Sequence, residues 1–312
     1  MSGKGENSIS NDPLVSVIMP VYNRADTIRR AVDSVLNQDW KNLELIVVDD
    51  GSNDDSVKIL ESYGDSLNLI TQENQGAYFA RNHALKFVNG EFIAFIDSDD
   101  YWLPHRISSQ IPLFDRSKIG LVFGNARVER RGHDGNANKL SNFFNCFPPS
   151  RGKVTKELCF QNFIPQSSVI IRRECYNRFA GFFTGNKRAS DYVKWFELSL
   201  YFEFDYVPEP VFVYCLHDSN LSGSIEALLS PPIEGFQELL MKSKLNSNQR
   251  YFTHLVIYRF QTWFSLLLML KMLNRIFAGF ASGGRAGLGI IDRISTLFNE
   301  FRSAVLLRRK RG

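Results

Sequence analysis

Between Val15 and about Ile119, short apolar runs of β type alternate with stretches of helical periodicity, and three of the runs end in clusters of acidic or polar residues. Val15-Ser16-Val17-Ile18-Met19 is the first run, stopped by Pro20. Ile28, Ala31, Val32, Val35 and Leu36 then recur at helical spacing behind Asp26 and Thr27, residues suited to a helix start. Leu43 to Val48 is the second run, closed by Asp49-Asp50-Gly51-Ser52. Val57, Leu60 and Tyr63 mark the next helix, Leu67 to Ile70 the third run, Gly76 to Val88 another helix, and Glu91 to Ile96 the fourth run. Strand and helix alternating at this spacing predict an α/β fold, a mostly parallel sheet flanked by helices on both faces. Ligands of such sheets sit beyond the carboxyl ends of the strands. Tyr22-Asn23, Asp49-Asp50 and Asp97-Ser98-Asp99-Asp100 all fall there. One such cluster is ordinary turn chemistry; three at one edge mark a site.

The rest of the chain is less regular. Leu121-Val122-Phe123, Ser168 to Ile171 and Val211 to Cys215 are expected as strands, Arg130 to Asn145 as a long polar loop, and Ser190 to Leu200 as a helix with Asp191 in its first turn. Residues 1–13 form a polar leader without the apolar stretch of a signal peptide. Residues 14–224 are expected to be one domain, with a regular half (14–118) and a less regular half (119–224), followed by 225–312, a basic, helical C-terminal extension. That extension carries 13 Lys and Arg against 5 Asp and Glu, whereas the first 224 residues carry 24 against 28. A mildly acidic body with a basic tail points to an anionic partner. Leu255 to Phe280 is apolar, but Arg259, Lys271 and Arg275 interrupt it, so no membrane span is expected. A second helix, with Ile291, Ile294, Leu297, Phe298, Phe301 and Val305 on one face, precedes Arg308-Arg309-Lys310-Arg311. The tail is too apolar for a solvated basic face, so no nucleic-acid partner is expected. An interfacial attachment of residues 255–312 to anionic membrane fits both residue types, and a helical cap on the catalytic domain is the competing reading. Cys146, Cys159, Cys175 and Cys215 show neither a Cys-x-x-Cys pair nor zinc spacing. They are expected as four ordinary buried thiols in a cytoplasmic protein, peripheral at the inner face of the cell membrane.

Asp97-Ser98-Asp99 at the end of a buried run carries the clearest chemistry. Hard carboxylate oxygens suit Mg2+ or Mn2+, with substrate phosphates supplying the remaining ligands. A divalent cation on a diphosphate stabilises the charge that develops when the diphosphate leaves. An isolated Asp-x-Asp is more often a loop or cap; here it stands with two other acidic or polar strand ends.

The stretches Val15 to Asn23, Ile46-Val47-Val48-Asp49-Asp50-Gly51-Ser52, Asn74-Gln75-Gly76 with Ala80-Arg81-Asn82, and Gly90 to Asp100 resemble, in order and spacing, the family 2 glycosyltransferases. The resemblance is specific over residues 14–105 and looser to about 222. It implies the GT-A fold, a nucleotide-diphospho-sugar donor, a divalent metal (Mn2+ or Mg2+) and inversion at the anomeric carbon. Carried over by position, Pro20, Val21, Tyr22, Asn23 and Asp50 would hold the nucleoside, with Tyr22 against the base and Asp50 accepting a ring N–H. Arg81 would contact the diphosphate, Asp97 and Ser98 would lie near the ribose or the metal, and Asp99 would be the metal ligand. His217, in Leu216-His217-Asp218-Ser219-Asn220, resembles the family's late histidine near the metal. Asp191 falls where the family places its catalytic base, although Ser190 precedes it where a Glu is usual. Asp49 is read instead as a helix cap.

Gln-x-x-Arg-Trp, the signature of processive synthases, is absent, so the expected activity is transfer of one sugar, from a UDP-sugar, to a hydroxyl of a saccharide or lipid-linked oligosaccharide, in polysaccharide biosynthesis. A polyprenyl-phosphate acceptor and a nucleotidyltransferase on a similar sheet are the alternatives. Neither Gly-x-x-x-x-Gly-Lys-Ser/Thr nor Gly-x-Gly-x-x-Gly occurs, which removes support for kinase, GTPase and dehydrogenase readings.

Overall fold

The computed structural model describes residues 12–131, 137–179, 181–182, 190–217, 233–242 and 244–262. The chain divides into two units, Met1–Ile257 and Tyr258–Gly312. The leader up to residue 11, the helix expected around Ile291 to Val305 and the Arg308–Arg311 cluster lie outside the described residues, as does most of the apolar stretch Leu255 to Phe280.

The first unit opens with β1 (Val15–Val21), α1 (Ile28–Leu36), β2 (Leu43–Asp49), α2 (Ser56–Glu61), β3 (Asn68–Thr71), α3 (Ala77–Ala84) and β4 (Phe92–Phe95). β1 pairs in parallel with β2, from Val15↔Leu43 to Val21↔Asp49, and with β4, from Val15↔Phe92 to Ile18↔Phe95. β3 adds in parallel outside β2. Every residue of β1 and β4 is buried. A strand covered on both faces needs a continuous apolar run rather than an alternating one. α1 turns Ile28, Ala31, Val32 and Val35 onto the sheet, a stripe set by the 3.6-residue repeat.

After β4 the chain forms β5 (Tyr101–Trp102), β6 (Ile119–Arg131), β7 (Ala137–Asn142), β8 (Ile170–Arg172) and β9 (Glu203–Leu216). Among the described residues the sheet order is β3-β2-β1-β4-β8-β6-β9-β5, with β7 pairing β6. β8 runs antiparallel between β4 and β6. The mostly parallel sheet flanked by helices is the expected architecture. Phenylalanines fill much of it: Phe92, Phe95, Phe114, Phe123, Phe204 and Phe212 are all fully buried, each such side chain contributing about 1.5–3 kcal/mol on burial.

The polar stretch Arg130–Asn145 is not a loop throughout. β6 extends to Arg131 and pairs with β7 in an antiparallel hairpin, from Arg127↔Asn142 to Arg131↔Ala137, and Phe143–Cys146 is helical. Among the described residues β7 pairs only with β6, and an edge strand keeps polar residues that a buried strand excludes.

Two features bring distant residues to one edge. β5 pairs antiparallel with β9, Tyr101↔Val213. The residues after Val213 therefore run back past the Asp97–Asp100 turn. The helix Ser190–Ser199 packs beneath Phe236 of the helix Ile233–Lys242, whose ring meets Tyr192 and Phe196 edge-on at 5.6 and 5.1 Å. Gln249 Nε2 donates to the Leu200 carbonyl at 3.0 Å. The start of the C-terminal extension thus packs within the first unit, against the helix Ser190–Ser199. Among the described residues no helix is long and apolar enough to cross a membrane. Cys159, Cys175 and Cys215 are buried, but Cys146 is exposed, against the expectation of four buried thiols.

Candidate active site

β1 delivers buried Pro20 and Val21 to the carboxyl edge, opposite Val48 and Asp49 of β2. Tyr22 follows with its side chain 44% exposed, open to a ligand ring. Asn23 adopts φ 50°, a left-handed conformation that Asn tolerates better than most residues. It is held there from both sides: its N–H donates to Ser52 Oγ at 2.9 Å and its Oδ1 accepts from the Asn53 N–H at 2.9 Å. The facing turn passes through Gly51 at φ +76°, where a Cβ would lie 2.9 Å from the Asn74 nitrogen, so only glycine fits.

Asp50 is almost wholly buried. Its Oδ1 accepts from Gln72 Nε2 at 2.7 Å and from the Gln75 N–H at 2.9 Å, and its Oδ2 accepts from the Gly76 N–H at 2.7 Å. A carboxylate has about four acceptor positions. Three are filled by the chain, and one is left for a base N–H. Asp49 does not cap a helix: its Oδ2 accepts from the Ser52 N–H at 3.0 Å, closing the turn, while α2 starts only at Ser56. Its Oδ1 is buried with no hydrogen-bond partner among the described residues.

Beyond β4, the four residues of the acidic turn point different ways. Asp97 is ion-paired with Arg81 of α3, and Arg81 is only 5% exposed. The Ser98 carbonyl accepts from Thr27 Oγ1 at 2.9 Å. Asp99 Oδ2 lies 2.9 Å from His217 Nε2 and 3.6 Å from an Arg24 guanidinium nitrogen. Asp100 turns inward, accepting from Ser167 Oγ at 2.6 Å and from the Cys215 N–H at 3.0 Å. The Cys215 bond pins the end of β9, two residues before His217, to this turn. Burial works to raise the Asp99 carboxyl, but the His217 hydrogen bond and the Arg24 and His217 charges outweigh it and hold it below its usual value. Burial, then the neighbouring Asp99 and Asp97 charges, push Asp100 well above its usual value.

Asp99 and His217 offer one hard oxygen and one imidazole nitrogen at a single point. That set could hold Mn2+ or Mg2+ with diphosphate oxygens completing the shell. Arg24 beside the same oxygen shows that the spot draws positive charge. Among the described residues no group of three or more His, Cys, Asp or Glu forms a full protein cage.

Asp191 lies in the first turn of the helix Ser190–Ser199. Tyr78 of α3 donates its hydroxyl to Asp191 Oδ1 at 3.2 Å. Burial raises the Asp191 carboxyl above its ordinary value, against the opposing pull of Arg81. Arg81 thus pairs with Asp97 and its charge also acts on Asp191. The structure brings Tyr22, Asn23, Asp50, Arg81, Asp97, Ser98, Asp99, Asp191 and His217 to one end of the sheet. Arg24 and Tyr78 were not singled out in the sequence. Their signals were slight: Arg24 directly follows the Tyr22-Asn23 loop, and Tyr78 stands three residues before Arg81, on the same helical face.

The glycosyl transferase family 2 profile matches residues 16–179, more than half of the chain, and the chain belongs to this family. It has a fold of the GT-A type. It is similar to the UDP-Glc:alpha-D-GlcNAc-diphosphoundecaprenol beta-1,3-glucosyltransferase WfgD of Escherichia coli, 43% identical over 120 residues, 38% of this chain and 47% of that protein. It is also similar to the chondroitin synthase of Escherichia coli, 32% identical over 215 residues, 67% of this chain and 30% of that protein. The match to the glucosyltransferase spans about half of that relative's length. Among solved structures, the mannosyltransferase PcManGT of Pyrobaculum calidifontis, in complex with GDP-Man and Mn2+, superposes with a TM-score of 0.65 at 19% identity, over 94% of this chain and 84% of that one. TarS of S. aureus in complex with UDP-GlcNAc gives 0.57 at 19% identity, over 79% and 71%. At these identities the likeness is one of fold.

Proposed function

We propose that this chain transfers a single sugar, with inversion, from a UDP-sugar to a hydroxyl of a saccharide or lipid-linked oligosaccharide. One observation carries the reading: the Asp99–His217 pair and Asp191 stand at the same sheet edge, linked through Asp97 and Arg81. Tyr22 and the remaining acceptor position of Asp50 suit a planar base that presents an N–H, as uracil does. A divalent cation bound at Asp99 and His217 would neutralise charge on the departing diphosphate. Asp191 takes the proton of the acceptor hydroxyl as its oxygen attacks the anomeric carbon, and the bonding pair of the breaking C–O bond leaves with the nucleoside diphosphate. The name of the Escherichia coli glucosyltransferase supports a UDP donor and a lipid-diphosphate-linked acceptor. In this reading residues 14–224 carry the chemistry, 14–118 on the donor side and 119–224 on the acceptor side. The basic extension 225–312 holds the enzyme, through 255–312, at the anionic inner face of the cell membrane.

The test is a donor screen, measuring nucleoside diphosphate release from UDP-, GDP- and dTDP-sugars with Mn2+ or Mg2+, with and without saccharide acceptors. Metal-dependent release of UDP above the other nucleotides is expected. Equal release with chelator present would overturn the metal role, and preference for a GDP-sugar would overturn the donor.

A further inference from the structure

α3 presents Tyr78 and Arg81 on one face toward two carboxylates that are far apart in the chain. Arg81 pairs with Asp97, while the Tyr78 hydroxyl donates to Asp191 Oδ1 at 3.2 Å. The phenol ring has little freedom: the Arg81 guanidinium lies 5.0 Å from its centroid, and the Phe182 ring lies 5.9 Å away, tilted. Among the described residues the charged and titratable groups facing Asp191 are Tyr78 and Arg81 from α3 and Asp97 from the turn after β4; the Tyr192 N–H also bonds to it. Of these, only Tyr78 donates a side-chain hydrogen bond to its carboxylate.

We propose that Tyr78 is a positioning residue for Asp191, its hydrogen bond to Oδ1 holding the carboxylate in its ionised form with the other oxygen free to meet the acceptor hydroxyl. This rests on the reading of Asp191 as the base. The direction of the bond is clear chemically. Burial and the Asp191 charge raise the Tyr78 phenol well above its usual value, so it keeps its proton and donates. A hydrogen bond to the ionised form favours that form, which offsets part of what burial does to Asp191. As the acceptor oxygen bonds to the anomeric carbon, its proton passes to Asp191. The electron pair of the broken bond departs with the diphosphate. Tyr78 remains a neutral phenol throughout.

Tyr78→Phe keeps the ring and its contacts with Arg81 and Phe182 and removes only the O–H. The acid limb of kcat/KM for the acceptor should move up by about one pH unit, so that activity loss is largest at low pH and closes at high pH. Donor affinity by calorimetry should not change. In an Asp191→Asn background, Tyr78→Phe should cause no further loss. 3-Fluorotyrosine at position 78, a stronger donor of the same shape, should move the limb the other way, and this arm stands even if the Phe variant folds poorly. Profiles that superimpose on the parent, or a loss equal at every pH, would overturn the role. If Asp191→Asn itself keeps turnover, the base reading has failed; if it is inactive while the limb stays fixed in both position-78 variants, only the Tyr78 role has failed.

Discussion

His217 Nε2 lies 2.9 Å from Asp99 Oδ2, closing a contact across 118 positions between the end of β9 and the turn after β4. The pairing Tyr101↔Val213 and the Asp100 bond to the Cys215 N–H set this register. Substituting either partner should weaken metal binding without unfolding the sheet. Asp99→Asn is expected to abolish metal-dependent donor binding. His217→Ala should cost at least the ~10-fold that losing even an outer-shell partner costs. Calorimetry of Mn2+ with UDP checks both, and unchanged affinity in Asp99→Asn would remove the site from this position.

Asp50 offers a different test because it is both a ligand group and a structural one. Asp50→Ala should weaken binding of free nucleoside diphosphate as well as of the sugar donor. It also strips three hydrogen-bond donors of their acceptor, two of them the N–H groups of Gln75 and Gly76. A buried donor left unmade costs about 1–3 kcal/mol, so the thermal midpoint should fall and amide exchange should rise at residues 72–76. If only the sugar donor binds more weakly, with UDP unaffected, Asp50 is not at the base.

The parallel half of the fold was legible because burial on both faces demands what Val15 to Val21 and Phe92 to Phe95 display, uninterrupted apolar residues. The β6–β7 hairpin was not, because β7 is an edge strand whose Asn, Lys and Ser residues satisfy the backbone ladder without any apolar alternation. The acidic ends of β2 and β4 could be picked out because each follows a buried apolar strand, and both strands pair in parallel with β1. Their division of labour could not. Asp49, Asp50, Asp99 and Asp100 are adjacent identical residues whose roles follow from the direction of each side chain. Tyr78 left almost no trace, being one aromatic on a short helix whose partner stands 113 positions later.

Residues 255–312 carry the membrane prediction. Each Lys or Arg close to an anionic surface contributes about 1 kcal/mol, so Arg308-Arg309-Lys310-Arg311 alone should favour attachment. Vesicles containing phosphatidylserine should float the full chain, neutral vesicles much less, and raised salt should strip it. Equal flotation with both vesicle types would remove the electrostatic part. Absence of flotation would mean the extension continues as the packed cap that Phe236 begins against Tyr192 and Phe196.

Asp191 is where stability and activity pull in opposite directions. Burial, the largest influence, raises its carboxyl above the ordinary value, and Arg81 opposes this. A group raised in the folded state contributes stability that is fully present below its unfolded value and is lost as pH rises through the folded value. A base, however, works only when ionised, so turnover should climb over the same interval in which that stability is lost. Asp191→Asn should separate the two. It keeps the shape and an acceptor for Tyr78 but cannot take a proton, so kcat should fall by about 10²–10⁴-fold. Donor affinity should barely move, and the thermal midpoint at neutral pH should be equal or higher, because the ionised carboxylate no longer has to be buried. Near-normal turnover in this variant would reject the base. It would favour an acceptor that arrives already ionised, such as a polyprenyl phosphate, which needs no proton removed. A drop in midpoint together with weakened donor binding would instead show that Asp191 serves the start of its helix and that the activity loss was structural.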